Sequence, residues 1–326
     1  MTDDDRSKRI RTAALTVAVF AASGGAAYAL FQAFRGATEA PRISRVEEAL
    51  PVPEYDFAYA SDKGGDFDLY LATLDGDLEL RLTDNPLGEN EPAWSSDGTL
   101  IAYSILGDAG LDIWVTAVSE GEARAVTSGA GDEHGPTWSP DGSKLAFTST
   151  NSIIEVVNLD GNGRQHVTDG SASDFDPSWS PDGARIAYAR DATDGVENSD
   201  IWLMDPSGAS KEALTNMEGA EYRPAWSPDG EKIAFVGTQT GRSEIYVLDI
   251  RNDTISQLTR DQMGKEGLSW SPDGHRILYV ANTEDETEGD RDLFVVETTG
   301  GTPKEVIAGP SQDTAPAWNP AARTSI

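Results

Sequence analysis

The stretch WSPDGARIAYAR, residues 179–190, recurs along the chain with few changes. Its copies are WSSDGTLIAYSI from Trp94, WSPDGSKLAFTS from Trp138, WSPDGEKIAFVG from Trp226 and WSPDGHRILYVA from Trp270, and a short form, WNPA, begins at Trp318. Successive tryptophans are 41 to 48 residues apart. A repeat of this length is typical of a four-stranded β-propeller blade.

Each copy has the pattern of a β-hairpin. An aliphatic residue stands seven positions after the tryptophan and an aromatic residue nine positions after it, so the two share one face of a strand. The Pro-Asp-Gly step before them predicts a tight turn, since Asp can accept from its own backbone and Gly tolerates a positive φ. The aspartates are therefore interpreted as structural turn residues: Asp97, Asp141, Asp182, Asp229 and Asp273.

Two further strands complete the repeat. A third strand begins at an acidic residue, as in DLYLATL from Asp68 and DIWVTAV from Asp112, and a short fourth strand ends in pairs such as Leu82-Thr83. The first repeat lacks a WSPDG strand and the last WNPA lacks a second strand. We therefore expect an all-β, six-bladed propeller over residues 55–320, closed by the strand of Trp318 joining the first blade.

These repeats resemble the TolB-like, WD40-like (PD40) β-propeller family. The resemblance covers Tyr55 to Pro320 and rests on five near-identical W-S-x-D-G hairpins. It implies a scaffolding role in the periplasm or envelope, although the separate N-terminal domain of TolB does not fit in residues 36–54. Departures occur in the third repeat, where Ile153 and Glu155 replace an acid and an aromatic, and at Asn319, which replaces serine.

The N-terminus predicts export. Residues 1–11 form a basic cytoplasmic tail, and the uncharged run 12–34 is long enough to span a bilayer, which needs about 20 residues. We expect a single-pass membrane anchor here, a linker over 35–54, the propeller on the extracytoplasmic side and a short tail over 321–326. The alternative is a signal peptide cleaved after Ala27-Tyr28-Ala29, which would make the propeller a secreted protein.

The charge of the chain restricts its partners. Acids outnumber bases 56 to 25, giving a formal charge of −31, which argues against nucleic-acid binding and favours a basic protein or peptide. The residue five positions before each tryptophan is acidic in five of six repeats and should lie near the axis on the face of the loops between blades. These acids are the predicted binding ring: Glu89, Glu133, Asp174, Glu221 and Asp313, with Lys265 at the sixth position.

Two interpretations of this ring stay open. Carboxylate oxygens suit Ca²⁺, so Glu89, Glu133, Asp174 and Asp313 are candidate ligands of a calcium ion, although no cofactor is required. Alternatively, each acid accepts hydrogen bonds from the backbone of its own or the next blade. The loop 282–291, with its acids Glu284, Asp285, Glu286, Glu288 and Asp290, should open on the same face.

The sequence shows little catalytic chemistry. It has no cysteine, no G-x-S-x-G, no H-E-x-x-H and no Walker loop. Of three histidines, His134 is the one candidate ligand, while His166 and His275 are interpreted as surface residues. The repeated tryptophans should fill space between blades rather than stack on a ligand: Trp94, Trp138, Trp179, Trp226, Trp270 and Trp318.

The function that this pattern favours is a monomeric, membrane-tethered, non-enzymatic propeller that binds a protein or peptide through its acidic loop face. The alternative is a carbohydrate-active hydrolase or lyase that uses acids of the central funnel. Raised carboxyl pKa values around one pocket would favour the enzyme.

Overall fold

The structure is a computed structural model that describes residues 55–107, 109–119, 123–191, 198–261, 263–282 and 290–322. These residues form six antiparallel sheets of four strands each, arranged as the blades of a β-propeller. The predicted all-β, six-bladed architecture is confirmed. Several predicted segments lie outside the described residues: the tail 1–11, the anchor 12–34, the linker 35–54, the loop acids from Glu284 to Glu288, and residues 323–326 of the C-terminal tail.

The strands are numbered in chain order and each blade is given from its innermost strand outward. Blade 1 contains β24 (Asp313–Trp318), β1 (Phe57–Ser61), β2 (Asp68–Ala72) and β3 (Glu79–Arg81). Blade 2 contains β4 (Glu89–Trp94), β5 (Leu100–Leu106), β6 (Leu111–Ala117) and β7 (Ala123–Ala125). Blade 3 contains β8 (His134–Trp138), β9 (Lys144–Ser149), β10 (Ile153–Asn158) and β11 (Gln165–His166).

The second half of the ring follows the same order. Blade 4 contains β12 (Asp174–Trp179), β13 (Ile186–Asp191), β14 (Ser199–Met204) and β15 (Glu212–Ala213). Blade 5 contains β16 (Glu221–Trp226), β17 (Lys232–Gly237), β18 (Glu244–Asp249) and β19 (Thr254–Gln257). Blade 6 contains β20 (Lys265–Trp270), β21 (Arg276–Asn282), β22 (Arg291–Glu297) and β23 (Lys304–Ile307).

The hydrophobic core lies between neighbouring blades. Leu69 and Leu71 of blade 1 pack with Trp94, Ile101 and Tyr103 of blade 2 in one buried cluster. The second strand of each blade is apolar on both faces because each face meets a different blade. The tryptophans also join blades by hydrogen bonds, as where Trp138 Nε1 donates to the carbonyl of Ala93 at 2.9 Å. The repeat thus packs blade against blade.

The Pro-Asp-Gly turns have one shared hydrogen-bond pattern. In the third blade, Ser139 Oγ donates to Asp141 Oδ1 at 2.7 Å, and the backbone N–H of Ser143 donates to the same oxygen at 3.0 Å. Gly142 follows with φ +70°, a conformation that favours glycine. These donors lower the pKa of Asp141 to about 2. Each such aspartate therefore fixes a turn.

The two ends of the described chain meet in blade 1. Strand β24 pairs with β1, so that Phe57 lies opposite Trp318 and Ser61 opposite Asp313. Beyond the strand, Asn319 Nδ2 donates to the carbonyl of Tyr55 at 3.0 Å, which accounts for asparagine at a position that is serine in the other repeats. Within the described ranges, no helix is long and apolar enough to cross a membrane.

Candidate functional site

The predicted acidic ring is buried at the contacts between blades. The ring residues were predicted in the loops between blades, but five of them begin the innermost strand of their blade and Glu133 directly precedes it. Their side chains are covered: Glu89, Asp174, Glu221, Lys265 and Asp313 are 0% exposed and Glu133 is 3% exposed. Buried side chains are not available to a partner. The expectation of an open acidic ring is therefore not met.

Each ring residue belongs to a polar cluster that we call an interface clamp. A clamp contains the ring residue, the residue at the position of Asp68 near the start of the third strand of the preceding blade, and the threonine that follows the fourth strand of that blade. The third-strand residues are Asp68, Asp112, Ile153, Asp200, Glu244 and Asp292. In the clamp between blades 1 and 2, Thr83 Oγ1 accepts from the backbone N–H of Leu69 at 2.8 Å and donates to Glu89 Oε2 at 3.1 Å. The threonine thus links one blade to the next.

The backbone hydrogen bond to the threonine recurs around the ring, but the acceptor of the hydroxyl varies: Thr127 donates to Asp112 at 3.4 Å and Thr259 to Glu244 at 2.5 Å, each in its own blade. The backbone donors to the other clamp threonines are Ile113 to Thr127, Ile154 to Thr168, Ile201 to Thr215 and Ile245 to Thr259, at 2.8 to 3.0 Å. In the clamp between blades 6 and 1, Ile307 replaces the threonine, and Ser311 Oγ supplies the hydroxyl to Asp313 at 3.3 Å. The clamp is therefore a repeated buried polar cluster at the boundary between neighbouring blades.

Burial changes the protonation of the clamp carboxyls. Burial, aided by the charge of Asp68, raises the pKa of Glu89 to about 9, although hydrogen bonds from Asn85 and Thr83 oppose the shift. Burial likewise raises the pKa of Asp68, Asp112 and Asp313 to about 6. Glu89 is therefore a neutral acid at pH 7, and the raised pKa values are spread over separate clamps rather than gathered in one pocket.

One clamp contains an ion pair in place of two acids. Lys265 Nζ lies 3.3 Å from Glu244 Oε2, donates to the carbonyl of Met263 at 2.5 Å and also contacts Asp261. Burial lowers the pKa of Lys265, and the charge of Glu244 opposes that shift. The lysine that interrupts the predicted ring is thus the counter-ion of a buried carboxylate.

The four predicted calcium ligands do not form one site. Glu133 pairs with Arg164 at 2.7 Å, and Asp174 pairs with Arg190 at 2.7 Å, so these two acids have arginine partners in different blades. In the part of the chain that the structure describes, no group of three or more Asp, Glu, His or Cys side chains is placed to hold a metal ion.

An accessible cavity forms a funnel around the propeller axis. It has a volume of about 610 Å³ and runs from the middle of the innermost strands to the W-S-x-D-G turns. Its wall carries small half-exposed residues at the position before each tryptophan, such as Ala93, Thr137 and Ser178. Its rim contains Ser96 and prolines of the turns, including Pro181 and Pro228. The funnel thus opens on the turn face, opposite the predicted acidic loop face.

A ring of left-handed residues surrounds the inner end of the funnel. The residue three positions before each tryptophan has φ between +47° and +62°, at a bulge in the pairing of the innermost strand. These residues are Glu91, Gly135, Asp176, Arg223, Gly267 and Ala315. Four of them are not glycine, and a left-handed conformation costs such residues on the order of 1–3 kcal/mol each. Strain of this kind is concentrated at functional sites.

Three of these residues form a charged axial cluster with His134. Glu91 Oε2 lies 3.8 Å from His134 Nδ1 and accepts from the backbone N–H of Gly135 at 2.7 Å. Asp176 Oδ2 accepts from the backbone N–H of Arg223 at 3.2 Å. The side chains of His134 and Glu91 are 25% and 22% exposed. The predicted ligand His134 is thus at the axis, where it pairs with Glu91 rather than with the adjacent Glu133.

Comparison with known structures shows the same fold in other proteins. TolB from Acinetobacter baumannii superposes with a TM-score of 0.70 at 24% identity, covering 84% of this chain and 69% of TolB. The family model of the TolB β-propeller domain (PD40) matches residues 26–195 and 152–287. The chain belongs to the TolB β-propeller (PD40) family. A comparison with curated proteins gives no significant match.

Other propellers share the fold of this TolB-like protein. A chain in the crystal structure of a nidogen/laminin complex aligns with a TM-score of 0.66 and 11% identity, covering 82% of this chain and 99% of that one. Oligogalacturonate lyase from Vibrio parahaemolyticus aligns with a TM-score of 0.56 and 16% identity, covering 82% and 78%. At these identities the likeness shows the fold alone.

The axial cluster of this TolB-like propeller is not predictable from side-chain chemistry. The six residues three positions before the tryptophans have no common charge or size, and they share only a left-handed φ. The sequence indicates only that these six residues occupy the same position in each repeat, on the strand nearest the axis. The clamp threonines were visible as the ends of fourth strands, but their contact with the ring acids depends on how one blade covers the next.

The pairing of Glu91 with His134 at the axis should make the stability of the protein depend on pH. Burial opposes ionisation of Glu91, but His134, Arg223 and the Gly135 N–H outweigh it and lower the pKa of Glu91 to about 2. Burial opposes protonation of His134, but Glu91 and Asp176 outweigh it and raise the His134 pKa. Stability from Glu91 is thus lost as pH falls from about 4.5 to about 2, and that from His134 as pH rises through its raised pKa.

We expect Glu91→Gln to lower the pKa of His134, because the substitution removes the nearest negative charge. The measurement is an NMR titration of the histidine side chains in the native protein and in E91Q, with H134N identifying the signal. An unchanged titration of His134 in E91Q would contradict the pairing.

Proposed function

We propose that this TolB-like propeller is a non-enzymatic binding scaffold, displayed outside the cytoplasm by the anchor predicted at residues 12–34, that receives a protein or peptide in its axial funnel. The observation that carries the proposal is the funnel itself, an accessible cavity of about 610 Å³ with a wall of proline, alanine, serine and tryptophan. Such a wall offers contact area with few charges to desolvate.

In this proposal the residues that meet the partner lie in the funnel and not in the predicted acidic ring. The ring acids are buried, so the partner would meet the charged axial cluster at the inner end of the funnel and the proline-rich rim at its mouth. The formal charge of −31 favours a basic partner through long-range attraction, although it does not select a binding face. Fold similarity to TolB and to the propeller in the nidogen/laminin complex is compatible with a binding role.

The alternative enzymatic function receives less support from the site. Acid catalysis by two carboxyls requires one with a raised pKa next to one that stays ionised, both in reach of substrate. The carboxyls with the highest pKa values, Glu89 and Glu221, are fully buried in different clamps. In the axial cluster, Glu91 has a lowered pKa and is a poor proton donor.

The proposal is tested by placing a photoreactive amino acid at Thr137 or Ser178 in the funnel wall, and at Ile255 as a matched control. Ile255 is 37% exposed but lies on the outermost strand of blade 5, far from the axis. Irradiation of cells that produce the full chain should give a discrete adduct from the funnel positions and none from Ile255. Adducts from all three positions, or from none, would contradict a funnel-centred binding function.

The native chain and a Glu91→Gln variant test the enzymatic alternative. Incubation with neutral and acidic oligosaccharides should give no turnover by the native chain. Turnover that Glu91→Gln abolishes would instead establish a carbohydrate-active enzyme at the axial cluster.

A further inference from the structure

Arg223 is a partly exposed arginine at the inner end of the axial funnel, and it is the only basic residue among the described residues that line this cavity. Its guanidinium forms neither a hydrogen bond nor an ion pair with any residue that the structure describes. Other arginines are paired: Arg190 lies 2.7 Å from Asp174, and Arg291 lies 3.4 Å from Glu266. A guanidinium has five N–H donors, so those of Arg223 are available to a molecule in the funnel.

The described contacts of the fold do not involve the Arg223 side chain. Arg223 belongs to the ring of left-handed residues, with φ +52°, and the equivalent positions in blades 3 and 6 are Gly135 and Gly267. Glu91 accepts from the backbone N–H of Gly135 at 2.7 Å. Asp176 accepts from the backbone N–H of Arg223 at 3.2 Å. These bonds use only the backbone of the donor, so arginine at a position that favours glycine is strained without a side-chain contact to compensate it.

The negative charges near Arg223 are largely compensated by other basic groups. Burial opposes the charge of Arg223, but three carboxylates outweigh burial and raise its pKa: Asp176, Glu91 and Glu266. Glu266 pairs with Arg291 at 3.4 Å. Glu91 lies 3.8 Å from His134. Three carboxylates thus face two guanidinium groups and a histidine, which leaves room for a further anion beside Arg223.

We propose that Arg223 binds a carboxylate of the peptide that occupies the funnel, either the terminal carboxylate of the chain or the side chain of an aspartate or glutamate. A planar guanidinium offers two parallel N–H donors that match the two oxygens of a carboxylate. The inference rests on the proposed binding function and identifies the chemical group that reaches the inner end of the funnel. The net charge of −31 acts at long range on the partner as a whole, whereas Arg223 contacts one group.

The first test uses peptides that differ at one group. The probes are acetyl-Ala-Pro-Ala with a free carboxyl, the same peptide with a C-terminal amide, and acetyl-Ala-Glu-Ala-amide, which carries only a side-chain carboxylate. NMR of the arginine Nε–H groups of the full chain in detergent follows binding, and the signal missing in Arg223→Lys identifies Arg223. At least one carboxylate peptide should shift this signal saturably, and the amide of acetyl-Ala-Pro-Ala should bind at least about tenfold more weakly.

The pattern of the three probes identifies the source of the carboxylate. A shift with the free acid alone indicates a chain end, and a shift with the glutamate peptide indicates a side chain. Equal shifts with all three probes would overturn the proposal. A shift with galacturonate but with none of the peptides would also overturn it, because the carboxylate would then belong to a sugar acid.

A second test uses the natural partner and separates this inference from the proposed binding function. With the photoreactive amino acid at Thr137, Arg223→Gln should reduce the discrete adduct at least about tenfold. The matched control is Arg185→Gln, which removes a half-exposed partner of Glu212 outside the funnel and should leave the adduct unchanged. Equal adducts from the native chain and R223Q would overturn the carboxylate contact but not the binding function. No adduct from the native chain would overturn both.

The lysine variant shows that lost binding is not lost folding. R223K keeps a positive charge among the three carboxylates and should unfold at the temperature of the native chain. It should still bind the carboxylate peptides more weakly than the native chain, because an ammonium group lacks the two parallel donors of a guanidinium. Binding by R223K as tight as that by the native chain would contradict recognition by the guanidinium.

Discussion

Replacing Lys265 by methionine should destabilise the propeller by about 3–5 kcal/mol, the cost of removing one partner from a buried ion pair. Lys265 is 0% exposed and lies 3.3 Å from Glu244, which is 1% exposed. Glu244 keeps the hydroxyl of Thr259 as a donor at 2.5 Å but loses the ammonium group of Lys265. Equilibrium denaturation of native and K265M chains measures the difference in unfolding free energy.

Two control variants test whether the loss of stability comes from breaking the buried ion pair. Arg251→Met removes an exposed partner of Glu231, with side-chain exposures of 75% and 48%, and should cost below about 1 kcal/mol. The double variant K265M/E244Q removes both charges of the clamp and should recover most of the lost stability, because a neutral buried pair has no uncompensated charge. If K265M and R251M were equally stable, Lys265 would not be the counter-ion of a buried carboxylate.

Deleting strand β24, by ending the chain at Gly309, should abolish cooperative unfolding. The deletion removes the innermost strand of blade 1 and leaves Phe57 and Ala58 without the partners Trp318 and Ala317. It also removes Trp318 from the buried cluster between blades 1 and 6. An exposed edge on β1 would then invite aggregation. Circular dichroism and calorimetry should show no single sharp transition for the truncated chain.

Addition of a peptide containing residues 310–322 supplies the control for the truncation. The peptide carries β24 and Asn319, which bonds to the carbonyl of Tyr55. It should restore a cooperative transition to the truncated chain, whereas a peptide with Trp318 replaced by alanine should restore less. A truncated chain that unfolds cooperatively without the peptide would show that β24 does not close the ring.

The fold was predictable because it depends on local signals repeated many times. The turn residues Ser139, Asp141 and Gly142 satisfy one another within five positions, and the same letters recur in four other blades. Alternating apolar residues then place the strands, and the repeat length gives the number of strands in each blade.

The candidate site was less predictable because it depends on contacts between blades. The sequence shows that Glu89 and Glu221 occupy equivalent positions in the repeat. It does not show that the preceding blade covers them, and this burial keeps both side chains from contacting a partner. Likewise, His134 was identified, but Glu91, Asp176 and Arg223 were not, since only their left-handed backbone at the axis relates them.

The repeated acids lie as buried groups between the blades and do not form an open ring of charges. The most direct test is the protonation state of Glu89, observed by ¹³C NMR of glutamate-labelled native chain and assigned by the signal missing in E89Q. We predict a carboxyl that is protonated at pH 7 and titrates with a pKa of about 9. A Glu89 signal that is already ionised at pH 5 would show a solvated carboxylate and contradict the claim.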